Sequence, residues 1–144
     1  PSERTHFSEV HGSIAAYGIF SHRHAAEIEQ ELVRTVTFVP HLVPLDRGIL
    51  ETIYTRVGPG TTDNTIREAL EDVYQESPFV RLTGNTPPEI KHVVHTNFCD
   101  IGWMLDGTRL VLVSCIDNLV KGAAGQALQS FNIAHNLEES KGLL

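Results

Sequence analysis

Eight histidines, two cysteines and a few paired charges are the groups in this 144-residue sequence that could do chemistry. His22-x-His24 has strand spacing and His92-x-x-His95 the spacing of a helical turn, and both spacings occur among metal ligands. Neither pair has a cysteine or carboxylate cluster at metal-motif spacing, so no metal is expected, and His92 and His95 read as solvated or hydrogen-bonded loop residues. His22 and His24 flank Arg23, and a helix-forming run starts directly afterwards. The partial positive charge at a helix amino terminus disfavours imidazolium, and neutral imidazole is the form that acts as a general base. Arg23 beside it could clamp a phosphate or a carboxylate. Spacing alone favours the plainer reading, a capping histidine and a surface arginine. Asp46 and Arg47 occupy a short connection between two strand-like runs, where functional side chains are often presented; a surface ion pair is the alternative. Lys121-Gly122-Ala123-Ala124-Gly125 lacks the order of a phosphate loop, and its small residues suit close helix packing. No Gly-x-Gly-x-x-Gly occurs anywhere in the chain.

The elements that must position these groups follow from periodicity and breakers. Cys99–Leu105 and Thr108–Cys115 are apolar runs flanking Asp106-Gly107, a strong signal for a two-residue hairpin turn. A turn on those two residues sets Leu105 opposite Thr108, Cys99 opposite Ser114 and Cys115 opposite Phe98. The two thiols then point to opposite faces, so no internal disulfide is expected, and reduced, structural cysteines fit a cytoplasmic protein. Residues 5–20 read as extended. Ser21 can cap a helix through Leu32. Thr35–Val43 is rich in β-branched residues and reads as a strand, as does Gly48–Val57. Thr62 or Asp63 caps a helix whose Ile66, Ala69, Leu70, Val73 and Tyr74 form one apolar stripe, ending before Pro78. Phe79–Thr83 is a short strand, and Leu119–Ala134 a final helix loosened by Gly122 and Gly125. The order β, α, ββ, α, βββ, α implies an α+β domain, a mixed or antiparallel sheet with helices on one face. Eighteen acidic against 11 basic residues give a formal charge of −7, which excludes nucleic acid and anionic membranes as bulk partners. No apolar run approaches the roughly 18 residues of a membrane span, and the polar start at Pro1 lacks a signal-peptide core and an initiating methionine, as expected of a processed or cut chain.

Four stretches, in order, resemble one known family. Ala16-Tyr17-Gly18-Ile19-Phe20-Ser21-His22-Arg23-His24-Ala25-Ala26-Glu27-Ile28 is similar to its Tyr-Gly-…-His-Arg-His-x-Pro-Glu-Ile signature, with Ala26 in place of the usual proline. Val36–Leu50 is similar to its Phe-Thr-Pro-His-Leu-x-Pro-x-x-Arg-Gly-Ile stretch. Phe98-Cys99-Asp100-Ile101-Gly102 and Asp117-Asn118-Leu119-Val120-Lys121-Gly122-Ala123-Ala124 complete the match. The family is N-acetyl-gamma-glutamyl-phosphate reductase, an NADPH-dependent enzyme of arginine biosynthesis.

The resemblance implies a cysteine thiolate that attacks an acyl phosphate, with phosphate leaving and the thioester accepting hydride to give N-acetylglutamate 5-semialdehyde. It implies His24 as acid/base catalyst, with His22 second, and Arg23 and Arg47 as holders of the phosphate or the substrate carboxylate. Asn118 would lie near the nicotinamide of NADP, and Tyr17 and His41 could line the pocket or belong to the core. The family's nucleophile motif, Gly-Cys-Tyr-Pro-Thr, and its cofactor fingerprint are not in this sequence, and Cys99 and Cys115 match no nucleophile motif. The expected organisation is therefore a substrate-binding and dimerisation domain, 1–118, and a carboxy-terminal helix, 119–144, that would pack on a separate NADP-binding domain. The implied fold is the glyceraldehyde-3-phosphate dehydrogenase-like carboxy-terminal domain, in a homodimer or tetramer, inactive as an isolated chain. Rival readings are the carrier-protein-linked reductase of lysine biosynthesis, aspartate-semialdehyde dehydrogenase (disfavoured by His22-Arg23-His24 and Pro40-His41-Leu42), a non-catalytic dimerisation module, and a His-x-His metal protein.

Overall fold

The computed structural model describes residues 6–144, which belong to two compact units, Pro1–Asp46 and Arg47–Leu144. Thr5, the first residue of the expected extended segment, lies outside the described residues. In the first unit that segment is instead a short helix α1 (Phe7–Val10) and a two-residue strand β1 (Ala15–Ala16), followed by α2 (Arg23–Leu32) and β2 (His41–Leu42). β1 and β2 pair antiparallel, Ala15 opposite Leu42 and Ala16 opposite His41. The strand expected over 35–43 shrinks to His41–Leu42 because Pro40 and Pro44 bracket it, and proline donates no ladder hydrogen bond.

The second unit is a four-stranded sheet of β3 (Ile49–Arg56), β4 (Val80–Gly84), β5 (Cys99–Asp106) and β6 (Arg109–Ile116), in the order β3-β6-β5-β4. β4 runs parallel to β5 and the other pairs are antiparallel. α3 (Asp63–Tyr74) begins at Thr62, whose hydroxyl accepts from Thr65 N, and ends before Pro78 as its apolar stripe predicts. That stripe lies on one sheet face: Ile66 packs with Trp103 and Leu110, and Leu70, Leu82, Leu105 and Leu112 surround them. Trp103 is 1% exposed, and its indole N–H donates to Asp63 Oδ1 at 2.8 Å. After β6 comes a π-helical turn, Val120–Ala124, then α4, Gly125–Ala134. A Cβ on Gly122 would touch Ile116, which places this turn on the same face as α3. The fold is thus the expected α+β sheet with helices on one face.

The hairpin register differs from expectation by two residues. Asp106 pairs with Arg109 and Leu105 with Leu110, so Gly107 and Thr108 are the turn. Gly107 has φ +60° and Thr108 has no positive φ, the pattern of a type II′ turn with glycine first. Cys99 therefore faces Ile116 and Cys115 faces Asp100. A slip of two keeps every side chain on its face, so the thiols still diverge, and both are free.

The other sheet face is half covered. Residues 85–97, including a 3₁₀ turn at Ile90–His92, cross it over Gly102 of β5 and the end of β6, where Cys115 Sγ meets Pro88 O at 3.6 Å, and reach Gly48 ahead of β3 through Ile90. Gly102 permits this crossing: a Cβ there would lie 2.7 Å from Thr83 Oγ1 and 2.8 Å from Thr86 O. Along β3 and towards the β5–β6 turn the same face is open, with Leu50, Tyr54 and Met104 exposed.

Two substitutions test this packing by urea unfolding. Trp103→Ala should cost roughly 3–5 kcal/mol, and Gly102→Ala about 1–3 kcal/mol because the groups it meets are backbone and a bonded hydroxyl. A Gly102→Ala midpoint equal to the parent's would refute the tight crossing.

Candidate functional site

The sequence-derived candidates fall into two clusters, one in each unit. In the first, helix α2 starts one residue later than a Ser21 cap implies. His22, not Ser21, is the N-cap, and its Nδ1 accepts from His24 N at 3.3 Å. The pair is therefore not on a strand; His22 precedes the helix and His24 is its second residue. A ring nitrogen that accepts carries no proton, so this bond assigns the His22 proton to Nε2. Aromatic edges hold the His22 ring. Its centroid lies 5.4 Å from Tyr17, 5.4 Å from Phe38 and 4.8 Å from His24, all near-perpendicular. Gly18, at φ +58°, lets the chain turn under that ring; a Cβ there would sit 3.1 Å from His22 Cβ and Cδ2. His22 is half-buried, whereas Arg23 and His24 are exposed. His41 is exposed on β2, with Nδ1 3.1 Å from Val39 O; a carbonyl only accepts, so Nδ1 is the donor.

The second cluster is built on the loop that leaves β6. Asp117 is fully buried. Its Oδ2 accepts from Arg47 Nη1 at 3.2 Å and His95 N at 2.7 Å, and its Oδ1 from Leu119 N at 2.7 Å and Val120 N at 3.0 Å. Burial pushes this carboxyl up, but the three backbone N–H groups and the Arg47 guanidinium outweigh it and hold the pKa at about 2. The neighbouring Asn118 accepts at Oδ1 from Gly48 N at 2.7 Å. Two adjacent residues after β6 thus grip two adjacent residues before β3. His95 reaches Asp117 in a left-handed conformation, φ 64°, uncommon for a residue with a side chain. Arg47 is half-buried and pairs with Asp117, not with Asp46.

Next to this cluster, Asn97 Nδ2 and Lys121 Nζ both donate to Gln129 Oε1, and Gln129 Nε2 donates to Glu139. This ties α4 to the strap of residues 85–97. Burial pushes the Cys99 thiol up and the Cys115 thiol up to about 11. Both are poor thiolates at neutral pH, the wrong state for a nucleophile. Among the described residues no three His, Cys, Asp or Glu side chains are grouped to hold a metal ion, and no helix is long and apolar enough to cross a membrane.

Asp117 is the residue that sequence reasoning left without a role. A local signal existed: an aspartate just after a strand run, two and three residues before the first amides of a helix, has capping spacing. Its carboxyl is depressed on folding, so its contribution to stability is present above the unfolded value of 3.8 and is lost as pH falls towards about 2. Acid titrations of unfolding free energy should show this loss between those values, and Asp117→Asn should remove it. An unchanged profile in Asp117→Asn would place the acid-sensitive group elsewhere.

Residues 1–118 match the family described as semialdehyde dehydrogenase, dimerisation domain. The N-acetyl-gamma-glutamyl-phosphate reductase of Desulforapulum autotrophicum is 52% identical over 152 residues, covering 99% of this chain and 44% of that protein. That of Pelotomaculum thermopropionicum is 49% identical over 148 residues, covering 96% and 43%. The chain spans less than half the length of these relatives. Among solved structures, aspartate semialdehyde dehydrogenase II from Vibrio cholerae, complexed with ASA, shares the fold at a TM-score of 0.60 and 18% identity, over 78% of this chain and 35% of that one. By the match over residues 1–118, the chain belongs to the semialdehyde dehydrogenase dimerisation-domain family.

Proposed function

We propose that this chain is the substrate-binding and dimerisation part of an NADP-dependent reductase of arginine biosynthesis, a cytoplasmic enzyme converting N-acetylglutamyl 5-phosphate to N-acetylglutamate 5-semialdehyde and phosphate. The observation that carries the reading is the His22-Arg23-His24 cluster at the start of α2, in a chain 52% identical to a reductase of that name. The thioester-forming cysteine belongs to another part of the protein on this reading, since neither thiol here is prepared to attack.

The chain's own residues would do the following. His24, exposed at the helix start, takes the proton from the attacking thiol and later serves the hemithioacetal oxygen. His22, its Nδ1 engaged by the His24 amide, orients that turn or shares the proton through Nε2. Arg23 and Arg47 hold the phosphate or the carboxylate of the substrate, a task suited to the guanidinium fork. Tyr17 and His41 line the pocket. NADPH, when bound, would supply the hydride and leave as NADP. The residues present do not make its site: Asn118 spends Oδ1 on Gly48, leaving one amide to donate, and no dinucleotide fingerprint exists in the sequence. The cofactor would be held mainly by a separate domain, against which residues 119–144 would pack. The open sheet face bearing Leu50, Tyr54 and Met104 would be covered by a second copy in a homo-oligomer. A carrier-protein-linked glutamyl or aminoadipyl phosphate would use the same groups.

Mixing the purified chain with a separately expressed NADP-binding half tests the reading. Phosphate-dependent NADP reduction by N-acetylglutamate semialdehyde should appear only in the mixture and fall by about 10²–10⁴ with His24→Ala. Turnover by the chain alone would overturn the proposal, and a folded but inactive complex would favour a non-catalytic dimerisation module. Light scattering should report a dimer or tetramer; a strict monomer at working concentration would refute the open face as an interface.

A further inference from the structure

We infer that Asp117 is a positioning residue for Arg47: it holds one corner of the guanidinium so that the remaining donors meet an anionic group of the substrate. The inference rests on the proposed reading of Arg47 as substrate-binding.

The argument starts from how differently two arginines meet buried aspartates in this fold. Arg81 engages Asp100 with two nitrogens on two oxygens, Nε at 2.6 Å and Nη2 at 2.9 Å. That fork-on-fork pairing is what neutralising a buried carboxylate calls for. Arg47 touches Asp117 through Nη1 alone, at 3.2 Å the longest of the four bonds that carboxylate accepts. Three backbone amides already occupy both Asp117 oxygens, so the carboxylate is satisfied without a bidentate arginine. What the contact does achieve is to fix one nitrogen of a side chain that is otherwise long and mobile.

The base of the same side chain is fixed as well. Gly48 N is held by Asn118 Oδ1 at 2.7 Å. Gly48 sits at φ +111°, with Ile90 filling the space a Cβ would need, so the backbone beside Arg47 has little freedom. An arginine held at its root and at one tip, with its side chain 32% exposed, presents a pre-oriented fork at low entropic cost on binding. Planar donors of this kind suit either a phosphate or a carboxylate, the two anionic groups the proposed substrate carries.

The experiment uses the full 144-residue chain, ¹⁵N-labelled, with the Arg47 Nε–H and the Gly48 and His95 amides followed by NMR. It is titrated in one arm with inorganic phosphate and in the other with N-acetylglutamate, which separates the acyl-phosphate end from the carboxylate. Arg47→Lys and Asp117→Asn should each weaken the same one of these probes by about tenfold, the size of one charge-assisted hydrogen bond. The double variant should be no weaker than either single one, because Asp117 acts only through Arg47. Native amide dispersion in each variant keeps unfolding apart from lost binding. Asp117→Glu, which keeps the charge but displaces the grip by a methylene, must show the same loss if Asp117→Asn does not fold. Parent-like affinity in a folded Asp117 variant, or additive losses in the double variant, overturns the positioning role. No change on Arg47→Lys in either arm instead overturns the substrate-binding reading of Arg47 on which it rests.

Discussion

A carboxylate removed from water must have its oxygens filled, and in this chain that requirement falls on Asp117. Its four donors come from three parts of the second unit: Arg47 ahead of β3, His95 in the strap over the sheet, and the Leu119 and Val120 amides that open the terminal helices. The buried charge therefore does locally what a hydrophobic core does elsewhere, by making any departure of its donors expensive.

The site inherits its geometry from that requirement. Arg47 and Gly48 on one side and Asp117 and Asn118 on the other are brought together across 70 residues of sequence. The histidine cluster has a different origin. It is local: Gly18 turns the chain, Tyr17 and Phe38 place their edges on His22, and the α2 start fixes His24 relative to it. One half of the candidate chemistry thus depends on long-range closure and the other on a short turn and a helix cap.

This difference decides what could be read from residues alone. The α3 stripe, the β5–β6 hairpin and the His22–His24 turn were legible because each is specified by residues close together in sequence. The hairpin register lies two residues from the one Asp106-Gly107 implies as central turn residues, because Gly107 with positive φ takes the first central position. The β-branched run over 35–43 yields only the strand His41–Leu42 because the proline brackets outweigh its β-branched content. The parallel β4–β5 pairing and the role of Asp117 were not legible for a shared reason. Both depend on backbone amides, which are the same in every residue and carry no mark in the sequence.

The sheet order also has a consequence for how the chain is made. β5 and β6 can pair as soon as both leave the ribosome, since a tight turn joins them. β3 is synthesised well before them and has no neighbour until β6 exists, after α3, β4 and β5 have all emerged. Until then its eight residues offer two open edges and the apolar side chains of Ile49, Leu50, Ile53 and Tyr54. The strand that finishes the sheet is therefore the segment of this unit longest exposed to wrong partners during synthesis, and the one for which a chaperone has most to do.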